Sequence, residues 1–190
     1  NKMISNFFMT ALVAAALHGS STVDATSTRS LQKTYDTIKG RSCFRSLDGM
    51  IESMTDLAAK YPDLITMESI GESYIKKYDP SRSDYGSNMR YDLPPGGFDI
   101  YAFNVTSSNS VRKSSEKGKM LVTSGVHARE WAPPELNARF IETLVEGYNT
   151  DADITWIMDH NEVHAILYVN PDGRFISEKY PSSYWRKNLN

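Results

Sequence analysis

The sequence predicts an α/β domain built on a mixed, mostly parallel sheet with helices on both faces. Three observations lead there. Apolar residues at helical spacing alternate along the chain with short runs of strand character. Stretches of helix length separate several of those runs, which favours parallel or mixed pairing. The chain has 190 residues, 40% hydrophobic and 23% charged, which is enough to bury a core and ordinary for a soluble domain.

The first element is an export signal. Lys2 gives a weak positive start, and Phe7 to Leu17 is apolar except for Thr10. Val23-Asp24-Ala25 then places small side chains where a signal peptidase needs them, so residues 1–25 read as a signal peptide cleaved after Ala25, with Gly19 as second choice. The apolar run is shorter than the about 20 residues of a spanning helix, which argues against stable membrane insertion after cleavage. An uncleaved anchor is the competing reading. Residues 26–42 are Ser/Thr/Lys-rich and read as a linker.

From there the chain organises. Leu47, Met50, Ile51, Met54, Leu57 and Ala58 share one helical face, with Ser46 as N-cap and Pro62 as the stop. Leu64 to Ile70 reads as a strand. Residues 76–97 are polar and turn-rich, a surface insertion whose Tyr78, Tyr85 and Tyr91 are expected to be exposed. Phe98 to Val105 and Met120 to Thr123 read as strands. Pro133-Pro134 opens a helix whose buried face would be Leu136, Phe140, Leu144 and Val145. Ile154, Ile157 and Met158 mark a shorter helix. Val163 to Val169 is a strand closed by Asn170-Pro171-Asp172-Gly173, a turn signal.

Net charge is −2, which offers no basic field for nucleic acid or an acidic membrane. The single cysteine, Cys43, cannot form an internal disulfide. It either has a partner beyond Asn190 or is a buried free thiol. Asn104-Val105-Thr106 is an N-glycosylation sequon at a strand end.

The chemistry gathers around His127 and Glu130, an H-x-x-E pattern between a strand's carboxyl end and the next helix. Open α/β sheets build ligand sites there. An imidazole nitrogen and a carboxylate three residues apart on a tight turn can reach one tetrahedral Zn²⁺. By spacing alone the pair reads more readily as a surface histidine and a helix-capping glutamate.

Context narrows this. Gly125-Val126-His127-Ala128-Arg129-Glu130-Trp131-Ala132, then Asn170-Pro171-Asp172-Gly173, then Tyr184-Trp185-Arg186-Lys187-Asn188 form an ordered set. It resembles the signature segments of the M14 metallocarboxypeptidases, the carboxypeptidase A/B type, over residues 43–190. The resemblance implies that His127 and Glu130 are the first two ligands of a catalytic zinc. It implies that Arg129 helps hold the substrate backbone, and that Arg186 binds substrate and stabilises the oxyanion. It also implies a secreted exopeptidase acting on the C-termini of peptides or proteins. The family's third zinc ligand, its Asn-Arg carboxylate clamp, closing tyrosine, specificity residue and general-base glutamate would follow Asn190. Residues 43–190 are therefore expected to be a partial catalytic domain, truncated at the C-terminus. The alternative is a catalytically incomplete fragment or peptide-binding remnant. His160, at a helix end, and His164, in a strand, are expected to serve structure and not zinc. About 17 residues separate Ala25 from Cys43, too few for a folded pro-domain.

Overall fold

The computed structural model describes residues 33–85 and 91–189. The expected signal peptide and residues 26–32 of the expected linker lie outside them. From Thr34 onward the chain forms one compact unit. Its start corrects the linker boundary. β1 (Thr37–Ile38) pairs antiparallel with β2 (Arg41–Arg45), Ile38 is buried, and Ser46 N donates to Asp36 O at 3.0 Å. Cys43, on β2, is exposed, so the buried-thiol alternative is not what the fold provides.

α1 (Leu47–Lys60) forms where the spacing places it. Ser46 Oγ accepts from Gly49 N at 3.0 Å, satisfying one of the free N-terminal amides. Leu47, Met50, Met54 and Leu57 are buried along one stripe. Each such side chain contributes about 1.5–3 kcal/mol relative to exposure.

The main sheet comprises β3 (Ile65–Glu72), β6 (Asp99–Val105), β7 (Gly118–Thr123) and β8 (Asn161–Ile166), in the order β3-β6-β8-β7. Between β3 and β6 lie α2 (Tyr74–Tyr78), β4 (Asp84–Tyr85) and β5 (Tyr91–Asp92). β3 and β6 pair antiparallel, as do β6 and β8, while β7 and β8 are parallel. The sheet is mixed as expected, but its parallel pairing is confined to one ladder. Only β7 and β8 are joined by a helical crossover, made of α3 (Ala132–Gly147) and α4 (Ala152–His160). Among the described residues the link between β3 and β6 has no helix but the five-residue α2, and it returns the chain antiparallel.

Side chains alternate across the sheet. Ile65, Phe103, Val105, Val163 and Ala165 face α1, α3 and α4, and pack with Met54, Ile141, Leu144 and Met158 in the main core. Thr66, Asn104, His164 and Leu121 share the opposite face by register, where Leu121 is 67% exposed. Among the described residues the core helices cover one face and not both. The expected buried stripe of α3 is also rotated. Leu136 is 67% exposed and Phe140 partly so, while Glu135, Ala138, Ile141, Leu144 and Val145 are buried. Glu135, on the buried side, pairs with Arg45, as described below.

The sequon falls inside the sheet. Asn104 pairs with Thr66 and His164, and its Oδ1 is buried. The Thr106 hydroxyl donates to Asn161 O at 2.8 Å and accepts from Lys117 Nζ at 2.8 Å. Glycosylation of the folded strand would require both side chains to leave these positions.

The polar insertion is more than surface. Leu93 within it is buried with Ile75, just before it, and with Ile176 and Leu189 in a second cluster. Tyr78 is exposed as expected, but Tyr91 stacks edge-on against Tyr180 and Trp185, each at 5.3 Å. Ile176 belongs to α5 (Pro171–Lys179), so the expected turn at 170–173 is the start of a helix. Asn170 is its N-cap, Oδ1 accepting from Gly173 N at 3.0 Å, and Pro171 occupies the first position, where a missing N–H is harmless.

Candidate metal centre

The loop after β7 is shaped by the segment after β8. Ser124 N donates to Ile166 O at 2.9 Å and Val169 N to Ser124 O at 3.2 Å. Gly125 sits at φ 65°, and a Cβ there would lie 2.7 Å from Leu167 O and 3.0 Å from Tyr168 Cα. Only glycine combines that backbone with that approach. Gly125→Ala is expected to lower stability by about 1–3 kcal/mol, read as a fall in the denaturant midpoint at unchanged slope.

Asn170 ties the site together. Its N donates to Gly125 O at 3.0 Å, and its Nδ2 lies 3.3 Å from Val126 O and 2.9 Å from Lys187 O. One N-cap thus fixes the H-x-x-E loop, the start of α5 and the arginine segment. Sequence reasoning read it as a turn. The Asn-Pro pair is also a helix-start signal, and that reading would have found the N-cap, though not its bonds to Gly125, Val126 and Lys187.

These constraints bring His127, Glu130 and Arg186 together. Glu130 N donates to His127 O at 3.2 Å, closing the turn. His127 Nδ1 lies 3.0 Å from Glu130 Oε1 and 3.1 Å from Oε2. Arg186 Nη2 is 3.2 Å from the same nitrogen, across 59 residues of sequence. The backbone supports this contact, since Ala128 N donates to Arg186 O at 3.3 Å. Arg129 does not join the group. Its Nη1 donates to Tyr184 O at 3.4 Å, bracing the arginine segment where Tyr184 takes a left-handed turn at φ 50°.

The pair fits a zinc ion. Zn–N and Zn–O bonds of about 2.0–2.2 Å at a tetrahedral angle set donor atoms about 3.4 Å apart, close to the His127–Glu130 separation. A neutral imidazole cannot donate from Nδ1 to Glu130 and accept there from Arg186 at once. A cation held on the Nδ1 lone pair and the carboxylate oxygens would take the place of both contacts, with Arg186 beside it and no longer bonded to the nitrogen. His160 and His164 lie elsewhere. His160 Nδ1 is 2.8 Å from Trp156 O with its ring stacked on Trp156, and His164 Nε2 is 3.4 Å from Glu162 Oε2. No group of three metal-ligating side chains occurs among the described residues.

Behind the loop lies a buried charged layer that the sequence did not reveal. Arg45 bonds Glu135 through Nη2 at 2.9 Å and Nε at 3.2 Å, and also pairs with Glu142. Arg174 pairs with Glu178 and bonds Arg45 O at 3.2 Å. Burial holds the Glu178 and Asp172 carboxyls above their usual range and pushes the Tyr168 hydroxyl up as well. Burial also opposes the charge on Glu135, but its bonds from Arg45 outweigh this and its pKa lies below the ordinary glutamate value.

A family model described as zinc carboxypeptidase matches residues 95–190, just over half of the chain, and the match includes every residue of this site. The chain belongs to the zinc carboxypeptidase family. Among its relatives are a zinc carboxypeptidase of Saccharothrix mutabilis subsp. capreolus and bovine carboxypeptidase A1. The first is 24% identical over 156 residues, covering 82% of this chain and 31% of the relative. The second is 25% identical over 144 residues, covering 76% and 28%. The chain thus spans about a third of the length of the curated relatives it matches. The fold is similar to that of thrombin activatable fibrinolysis inhibitor, with TM-score 0.62 at 21% identity, over 86% of this chain and 34% of that one. It is also similar to carboxypeptidase A from Helicoverpa armigera, with TM-score 0.57 at 20% identity, over 77% and 29%. These likenesses confirm the mixed α/β fold class of a zinc carboxypeptidase.

Proposed function

We propose that this chain carries the metal-binding and oxyanion-binding part of a secreted, zinc-dependent carboxypeptidase that hydrolyses the last peptide bond of peptides and proteins. The observation that carries the reading is the meeting of His127, Glu130 and Arg186 within 3.2 Å of one imidazole nitrogen, inside a chain of this family. His127 Nδ1 and the Glu130 carboxylate would hold the zinc. When bound, zinc polarises a scissile carbonyl and acidifies water. Arg186 offers a fixed guanidinium beside that position, suited to the oxygen on which charge develops. Removing such a donor costs about 3 kcal/mol of transition-state stabilisation in comparable sites. Arg129, braced on Tyr184 O, would hold the substrate backbone. Export is supported by the signal character of residues 1–25, and no helix among the described residues is long and apolar enough to cross a membrane.

A second reading, peptide binding without hydrolysis, draws on the two-ligand set formed by the described residues. One experiment separates the two. The chain is dialysed against zinc and then assayed for release of the C-terminal residue from an N-blocked dipeptide. Stoichiometric zinc with release that His127→Ala abolishes supports the enzyme. Saturable peptide binding without release supports the second reading. A chain that retains no zinc at any concentration tested refutes the metal site.

A further inference from the structure

Arg174 is 2% exposed, and it stands between the two walls of the candidate metal loop. On one side its guanidinium carbon lies 5.3 Å from the centroid of the Tyr168 ring. Tyr168 packs on Gly125, so close that a Cβ at Gly125 would meet its Cδ1 at 3.1 Å. On the other side the same carbon lies 5.7 Å from the Trp131 ring. Trp131 follows Glu130 directly and caps α3. Its indole is fixed from three further directions. Nε1 donates to Ser177 Oγ at 2.8 Å, Phe44 meets the ring edge-on at 6.3 Å, and Arg41 lies over it at 5.4 Å. The loop that leads to His127 and the residue that follows Glu130 therefore both rest on one buried cation.

Its bonds to Glu178 and to Arg45 O hold Arg174 in place, but they do not require two aromatic rings beside it. A buried guanidinium is desolvated, and Nη1 of Arg174 is buried without a hydrogen-bond partner. An apolar side chain of similar length would pack there at least as favourably. What it would lose is a planar cation that attracts two aromatic faces at once and so sets their separation.

We infer that Arg174 is a positioning residue, which acts through Tyr168 and Trp131 to set the His127–Glu130 geometry for a divalent metal. The inference rests on the metal reading proposed above. The test is zinc affinity of the full chain, measured by competition with a chromophoric chelator, alongside the denaturant midpoint. Arg174→Met is paired with Glu178→Gln, so that no carboxylate is left buried without its partner. The double variant should keep the wild-type midpoint and lose at least about tenfold in zinc affinity, the range of outer-shell changes at metal sites. Glu178→Gln alone leaves the guanidinium between the rings and should bind zinc within about twofold of wild type. Trp131→Phe keeps an aromatic ring but loses the Ser177 bond, and should weaken zinc in the same direction as the double variant. It carries the test if the double variant does not fold. Wild-type affinity in a folded double variant, or in a folded Trp131→Phe, overturns the inference while leaving the metal site standing. Absence of zinc binding by the wild-type chain overturns both together.

Discussion

His127→Ala and Glu130→Gln should each lower zinc affinity by about a hundredfold or more, beyond the 10–100-fold that outer-shell changes cost. The two side chains face one point, with His127 Nδ1 3.0 and 3.1 Å from the Glu130 oxygens, so each is one of the two candidate ligand side chains among the described residues. Loss of the imidazole leaves one carboxylate. The amide in Glu130→Gln keeps size and shape and removes the charge, which isolates the electrostatic part of the affinity. Arg186→Met is the control. Its guanidinium sits 3.2 Å from the same nitrogen but donates and does not ligate, so its removal should raise zinc affinity slightly by relieving repulsion between cations. Isothermal titration of the four proteins checks the pattern. Equal affinities in wild type, His127→Ala and Glu130→Gln would remove the metal centre from these residues.

The second large effect concerns stability. Arg45→Ala should cost about 3 kcal/mol, the lower end for breaking a buried pair, because it leaves the buried Glu135 carboxylate with only the exposed Arg139, 2.9 Å from its Oε1. The pair is bonded at 2.9 Å with side chains 7% and 10% exposed, and Arg45 N also donates to Glu135 Oε2 at 3.2 Å. Domains are stable by about 5–15 kcal/mol, so one substitution would remove a large fraction of the total. Arg45→Met combined with Glu135→Leu should regain most of the loss, since no charge is then left buried. Urea unfolding of the three proteins decides it. A midpoint for Arg45→Ala equal to wild type would show that the pair does not support α3.

The same pair gives the fold a pH dependence. Glu135 titrates lower in the folded chain than in the unfolded one, despite its burial, because Arg45 stabilises its charge. Its contribution is present above the ordinary glutamate pKa and is lost as pH falls through the lower folded value. Glu178 and Asp172 act with the opposite sign. Burial raises both, so acidification through those raised values adds stability before Glu135 withdraws its share. Unfolding midpoints followed from neutral pH into the acid range should hold or rise first and then fall. The fall should be shallower in the Arg45→Met/Glu135→Leu protein.

Much of this chain was legible in local pattern. The stripe of Leu47, Met50, Met54 and Leu57 with its Ser46 cap, the β6 run, and the order of the H-x-x-E, Asn-Pro-Asp-Gly and Trp-Arg-Lys segments depend on neighbours within a few residues or on short words in sequence. Such features survive without knowledge of the fold. Local pattern alone therefore yields the α/β class, most of the elements, and which residues to suspect of holding zinc. The remainder comes from packing. The hairpin at 37–45, the exposed face of Leu136, the burial of Leu93 and the role of Asn170 all depend on partners far along the chain. Glu135 is charged and sits 90 residues from Arg45, so no periodicity marks it as the buried side of α3. The meeting of Arg186 with His127, and of Arg174 with Trp131 and Tyr168, is set the same way. Long-range pairing of polar groups leaves no repeat in the sequence, because only the packed core fixes which charges share a space and which water is excluded.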